Sequence, residues 1–200
     1  YIVFTIIVWF SLSSNIIYSA TEERSLYLIR SQVDNISYSV LDIDNKYEAA
    51  DLLARVRRTL DTLCTHLNRG FKNDNRVQRL ISRYRSGNIK ENWRSNLTSY
   101  SINKGEFIVL CIRTSQYGQH LEDENTVRYI AIHELAHVMS LSEGHTEEFW
   151  TNFRFLLAHA VKNKLYKEVD YRRHPVRYCG TKLTDSPLRL SRERTMKTYL

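Results

Sequence analysis

The chain has 200 residues, a formal net charge of +7, and only three cysteines, six glycines and two prolines. This length predicts one domain that can bury a substantial core, and the scarcity of glycine and proline indicates neither an interdomain linker nor a repeat. An odd, small number of cysteines allows at most one disulfide and excludes a disulfide framework.

The chain begins with an apolar segment, because residues 1–10 read YIVFTIIVWF. A bilayer span needs roughly 20 apolar residues, so we expect residues 1–20 to be the second half of a membrane anchor. A secretory signal is an alternative, since residues 18–20 resemble a small-residue cleavage site, and a buried core strand is another. The expected division is an anchor or signal segment at 1–20 and a folded domain at 21–200, which places the protein at a membrane or in the secretory pathway.

Two helices are predicted in the first half of the domain. Apolar residues at helical spacing predict a long amphipathic helix from Asp44 to Leu67, ended by Asn68-Arg69-Gly70. A second, shorter helix is predicted from Arg76 to Arg85.

Two strands are predicted next, over residues 97–102 and 106–113, joined by a turn at 103–105. Residues 107–112 (FIVLCI) are apolar at every position, which predicts a strand covered on both faces. We expect this strand to offer an edge to an extended substrate. Cys64 and Cys111 lie in apolar patterns and are predicted to be small core residues.

Two further helices follow a polar loop. The first is predicted from about Glu124 to Leu141, and the second starts after Thr146, whose side chain suits an N-cap. Glutamates in the first turn of the second helix favour its positive end. The remainder of the chain is predicted to be irregular, with one short strand and a basic tail.

Basic residues flank an acidic middle. Residues 54–94 carry 11 Lys and Arg against three acids, residues 162–200 carry 11 against four, and residues 116–150 carry one against seven. The acidic excess would help to hold a divalent cation. The basic regions are either an ordinary solvated surface or a contact face for nucleic acid, anionic lipid or an acidic partner protein.

The sequence H-E-L-A-H at residues 133–137 indicates the chemistry. Because one helical turn takes about 3.6 residues, His133 and His137 lie on one face and can bind the same metal ion. Glu134 can then reach a metal-bound water and take its proton as that water attacks a peptide carbonyl. We predict a catalytic zinc site, the alternative being a surface cluster of His and Glu.

A third protein ligand is predicted at a turn after this helix. His145 lies eight residues after His137, which excludes the six-residue metzincin spacing. Three histidines leave a fourth position open, as in catalytic zinc sites. Glu143, Glu147 and Glu148 stay open as alternative third ligands. The other histidines lack ligand spacing and are expected to be surface or half-buried residues: His66, His120, His159 and His174.

A donor that stabilises the oxyanion beyond the zinc is harder to assign. The segment after the last predicted helix contains Tyr178 and His174, and such a segment could return to the cleft. We single out Tyr178 for this role. The alternative is a packed tyrosine, one of 13 in the chain.

These residues resemble the WLM family of zinc metallopeptidases, which is close to the SprT-like group. In that family a helix carries H-E-L-x-H and a third histidine precedes an aromatic residue, as His145 here precedes Phe149 and Trp150. Residues 105–113, 122–126 and 175–180 resemble the small WLM-like proteins of large DNA viruses.

The resemblance covers roughly residues 95–185 and implies an α+β, zincin-like minimal metallopeptidase whose active-site helix packs on a small sheet. It implies zinc (Zn2+) held by His133, His137 and His145, with Glu134 as the base. Cellular members of the family are linked to the cleavage of proteins trapped on DNA, which would suit the basic flanks.

Two functions follow as expectations. The first is a zinc-dependent metalloendopeptidase that hydrolyses protein or peptide substrates. The alternative is a membrane-anchored structural or virion-associated protein, minor-capsid-like, which retains a peptidase fold at a virion membrane or capsid. The hydrophobic segment at 1–20 favours a membrane partner in either case.

Overall fold

The computed structural model of the protein describes residues 25–92, 99–114 and 120–188. The apolar segment predicted as an anchor or signal, and the basic tail, lie outside these residues, so those predictions stay open. Across the described ranges, no helix combines the length and the apolar character that a membrane crossing requires.

Four helices and seven short strands make up the described part of the chain, which confirms the predicted α+β class. In chain order they are β1 (Leu26–Arg30), β2 (Ser37–Leu41), α1 (Lys46–Gly70), α2 (Asn75–Arg83), β3 (Ile89–Glu91), β4 (Tyr100–Ile102), β5 (Phe107–Leu110), α3 (Glu124–Met139), α4 (Glu147–Lys162), β6 (Val176–Tyr178) and β7 (Thr181–Leu183).

The helix α3 lies at the centre of the molecule. It contacts α1, α2 and α4 as well as β4 and β5, so it packs on a small sheet as predicted. Its apolar residues are buried around most of its circumference, which is the pattern of a helix enclosed by a core rather than one lying on a surface. Side chains on α3 therefore have well-defined positions.

The other helices follow the predicted order with small shifts at their ends. The helix α1 continues through the predicted stop, because Gly70 is its last residue and the cap is Phe71. Thr146 is the N-cap of α4, as predicted, and its hydroxyl accepts a hydrogen bond from the backbone of Phe149. Asp123 caps α3 in the same way, through the backbone of Thr126.

The main sheet has the order β3-β5-β4, with β3 parallel and β4 antiparallel to β5. The central strand β5 is covered, as its apolar sequence predicts. The prediction that this strand offers an edge to a substrate is wrong, since both its edges pair with neighbouring strands. The strand β4 borders the sheet instead and packs next to α3.

One cysteine prediction is also wrong. Cys111 is not an isolated core thiol but forms a disulfide with Cys179, 68 residues further along the chain. The bond ties the end of β5 to the hairpin β6–β7, where the sequence predicted only one short strand. Cys64 is a buried free thiol, as predicted.

Candidate metal centre

Three histidines converge beside the central helix. His133 and His137 project from α3, and His145 comes from the loop between α3 and α4. One nitrogen of each ring lies within 4.8 Å of the others, and the Nε2 atoms of His133 and His145 are 3.0 Å apart. Nitrogens that share a tetrahedral zinc ion are about 3.3 Å apart, so this donor set fits zinc.

Aromatic rings from α4 pack against the imidazoles and orient them. Phe149, fully buried, stacks on His137 with ring centroids 4.3 Å apart and lies 4.8 Å from the His133 ring. Trp150 packs against His145 at 5.7 Å. The spacing of the aromatic residues after His145 therefore reflects packing against the candidate ligands.

The imidazoles on α3 are held neutral. Burial, with the neighbouring histidines, lowers the pKa of His133 to about 3 and that of His137 to about 4. A neutral ring keeps the lone pair that a metal ion needs, so both side chains are ready as ligands at neutral pH.

Glu134 lines the same cleft as the three histidines and is 4% exposed. Burial raises the pKa of its carboxyl group to about 8, and a hydrogen bond from the backbone of Ser101 on β4 opposes this shift. A divalent cation at the histidines would favour the ionised carboxylate. The sheet edge and the central helix thus meet at this side chain.

The site opens into a cleft of about 970 Å³. Its walls are the edge strand β4 with the following turn, the loop that carries His145, and the hairpin β6–β7. This volume is at the upper end of the range for ligand pockets and leaves room for a short stretch of polypeptide.

Tyr178, the candidate oxyanion donor, lies at this cleft, but its hydroxyl is already hydrogen-bonded within the protein. Tyr178 lines the cleft and is 1% exposed. Its hydroxyl donates to the carbonyl of Cys111 at 2.6 Å and contacts Ser99 Oγ at 2.7 Å. This arrangement matches the alternative in which Tyr178 is a packed tyrosine rather than an oxyanion donor. His174 is exposed and does not line the cleft.

The glutamates considered as third ligands lie outside the histidine group, although Glu143 and the exposed Glu147 line the cleft. Glu143 is 89% exposed at its side chain and pairs with Lys104 at 3.0 Å. Glu148 binds backbone groups of the loop before α4. Within the described ranges, the group that could hold a metal ion contains histidines alone.

The other histidines lie apart from this group. His66 and His159 pack on each other, with ring centroids 5.5 Å apart, and His120 is exposed. Two contributions to the site carried no sequence signal: the hydrogen bonds of Glu148 and the disulfide beside Tyr178. Both join residues whose partners are chosen by the tertiary fold.

The chain is similar in sequence to proteins of large DNA viruses and, at lower sequence identity, in structure to solved proteins from yeasts. No family model matches the chain. Protein R325 of Acanthamoeba polyphaga mimivirus is 32% identical over 174 residues, which cover 84% of this chain and 87% of R325. Protein 136R of Invertebrate iridescent virus 6 is 39% identical over 71 residues, which cover 35% of this chain and 39% of 136R.

Among solved structures, a Wss1 mutant from Saccharomyces cerevisiae is 17% identical with a TM-score of 0.47, covering 62% of this chain and 90% of that chain. A Wss1 mutant from S. pombe is 24% identical with a TM-score of 0.43, covering 68% and 100% respectively.

Proposed function

The chain belongs to the family of small WLM-like proteins of large DNA viruses that includes mimivirus R325. From that premise we propose that it is a zinc-dependent metalloendopeptidase. The observation that carries this proposal is the convergence of three imidazoles in a cleft that a buried glutamate also lines.

His133, His137 and His145 would hold the ion. Zinc bound there would polarise the peptide carbonyl and lower the pKa of a coordinated water to about 7. Three neutral imidazoles leave the charge of the ion undiminished, and the exposed position of His145 leaves one side of the site open to substrate.

Glu134 is the proposed general base. Its carboxylate takes the proton of the attacking water and passes it to the leaving nitrogen of the peptide. The backbone of Ser101 fixes the carboxylate against β4, so that the group does not need to reorient during the reaction. Proton transfer of this kind contributes about 10²–10⁴ in rate.

The edge strand β4 is the proposed docking site for the substrate backbone. Its partner on one side is β5, and its other side faces the cleft beside Glu134. An extended peptide could add to this edge by backbone hydrogen bonds, which bind substrates of varied sequence.

The test pairs zinc analysis of the purified protein with proteolysis by Glu134→Gln. The variant is expected to retain zinc and to lose about 10²–10⁴ in turnover of a casein-type substrate. Glu48→Gln, at an exposed position in α1 remote from the cleft, is the matched control. Equal turnover by Glu134→Gln and the parent would reject the mechanism.

The structural alternative proposed from the sequence is a membrane-anchored or virion-associated scaffold that retains the peptidase fold. Its support is the apolar sequence of residues 1–10. Folded, zinc-loaded protein that cleaves nothing, with or without a chelator, would favour it. Contact of the basic regions with nucleic acid or an acidic partner is a further proposal, which requires binding that weakens steeply with added salt.

A further inference from the structure

The candidate ligands are held in two different ways. His133 and His137 belong to the buried helix α3, whereas His145 belongs to the ligand loop, defined here as residues 140–146. Most of this loop is exposed, and Leu141 is 62% exposed. Burial of apolar side chains therefore contributes little to the loop backbone, which depends on polar contacts to bring the His145 ring to its packing position against Trp150.

The carboxylate of Glu148, in the first turn of α4, reaches back to the start of the ligand loop. Oε1 accepts a hydrogen bond from the backbone of Leu141 at 2.9 Å, and Oε2 accepts from the backbone and hydroxyl of Ser142 at 2.9 and 2.8 Å. The Ser142 hydroxyl also contacts Thr146 Oγ1 at 2.6 Å. Bonds to an ionised carboxylate are stronger than those between neutral groups.

A cation from α2 completes this contact. Arg79 Nη1 donates to the carbonyl of Met139 at 2.8 Å and lies 3.5 Å from Glu148 Oε1. Arg83 likewise donates to the carbonyls of Val138 and Ser140. The end of α3, the beginning of the ligand loop and the beginning of α4 are thus joined through one carboxylate and its guanidinium partner.

The opposite wall of the cleft holds the same loop from the other side. Lys104 Nζ donates to the carbonyl of Ser142 at 2.7 Å. The turn that carries Lys104 is itself fixed on α3, because a Cβ on Gly105 would lie 2.7 Å from Val138 Cγ1. Gly144, with φ of 70°, then reverses the chain immediately before His145.

From these contacts we infer that Glu148 is a positioning residue that orders the ligand loop before metal binding and so places His145 over the other two histidines. The inference rests on the proposed metal site and assigns to Glu148 a role other than that of a ligand. Without these bonds, the ordering of the exposed loop would oppose each binding event.

The experiment measures the zinc affinity of the full chain against a competing chelator. Loss of a partner outside the ligand set typically weakens metal binding 10–100-fold, and we expect Glu148→Gln to fall in that range. Glu48→Gln is the control: it removes the same charge at an exposed position of α1 that does not line the cleft. We expect its affinity to stay within about threefold of the parent's.

A double-variant cycle separates positioning from a general loss of structure. In the His145→Ala background, Glu148→Gln should weaken zinc binding no further, because the carboxylate acts through the imidazole that is gone. Zinc binding by Glu148→Gln equal to that of the parent, or a loss that persists without His145, would overturn the inference.

If circular dichroism shows that Glu148→Gln does not fold, the zinc affinity of Ser142→Ala is the test. This variant removes only the hydroxyl bonds to Glu148 and Thr146. Weaker zinc binding by this variant supports the inference, and unchanged binding overturns it. A parent chain that binds no zinc would instead reject the proposed function, and the inference with it.

Discussion

The central helix α3 and the ligand loop both contribute histidines to the candidate metal site, but different interactions hold them in place. In α3, the two histidines are held by a helix whose apolar neighbours, such as Leu135, are fully buried. In the loop, His145 is exposed, and the chain around it is held by hydrogen bonds to Glu148 and Lys104. The histidines on α3 are therefore fixed by core packing, whereas His145 depends on the charged hydrogen bonds of its loop as well as on its contact with Trp150. The two parts of the site should respond differently to substitution.

The largest difference is expected for two leucines. Leu135→Ala should cost about 2–5 kcal/mol in the free energy of unfolding, because it leaves a cavity in the core. Leu141→Ala, at a loop position that is 62% exposed, should change the free energy by no more than about 0.5 kcal/mol. Urea unfolding of the metal-free proteins compares them. A loop substitution that costs as much as the helix substitution would show that packing also fixes the ligand loop.

An effect of similar size is expected from pH. The pKa of Glu134 is raised in the folded state to about 8 from an ordinary value of 4.5, so the folded metal-free protein holds this proton more tightly than the unfolded chain. Its contribution is fully present below about pH 4.5 and is lost as pH rises through about 8.

Between pH 5 and 9, the metal-free parent should therefore lose about 4 kcal/mol of unfolding free energy relative to Glu134→Gln, whose amide does not titrate. The unfolding free energies of the two proteins, measured at both pH values, provide the test. Parallel pH profiles would mean that the carboxyl group of Glu134 is solvated rather than buried against β4.

How far the sequence predicts these features depends on the range of the interactions. The four-residue spacing of His133 and His137 predicts their common face, because helical geometry is local. The same local rules predict the N-cap at Thr146. Local geometry left Glu143, Glu147 and Glu148 as alternatives, since a loop has no periodicity to select among them, and it is the family resemblance that favours His145.

Contacts between residues that are far apart in the sequence could not be predicted, because no local pattern marks their partners. Nothing near Cys111 indicates a bond to a residue 68 positions away. The contact of Arg79 with the end of α3 likewise exists only because α2 packs beside that helix. The hairpin β1–β2 was not predicted, and the exposure of Leu28 shows that its strand lacks regular burial on one face.

The smallest effect is expected at the hairpin wall of the cleft. Tyr178→Phe removes the hydroxyl that donates to the carbonyl of Cys111, and should cost about 1 kcal/mol in stability. Turnover should fall by less than about tenfold, because this hydroxyl is hydrogen-bonded to the Cys111 carbonyl rather than free to contact substrate. A loss of about 10²–10³ in kcat, typical of a missing oxyanion donor, would instead assign that role to Tyr178.

The proposed metal centre requires three imidazoles to share one ion. X-ray absorption spectroscopy of the zinc-loaded protein measures this directly, by the number and kind of atoms bound to the metal. The proposed zinc centre predicts three imidazole nitrogens at about 2.0 Å and one non-protein oxygen, with His145→Ala reducing the imidazoles to two. A shell with two imidazoles in the parent, or with a glutamate in place of His145, would contradict it.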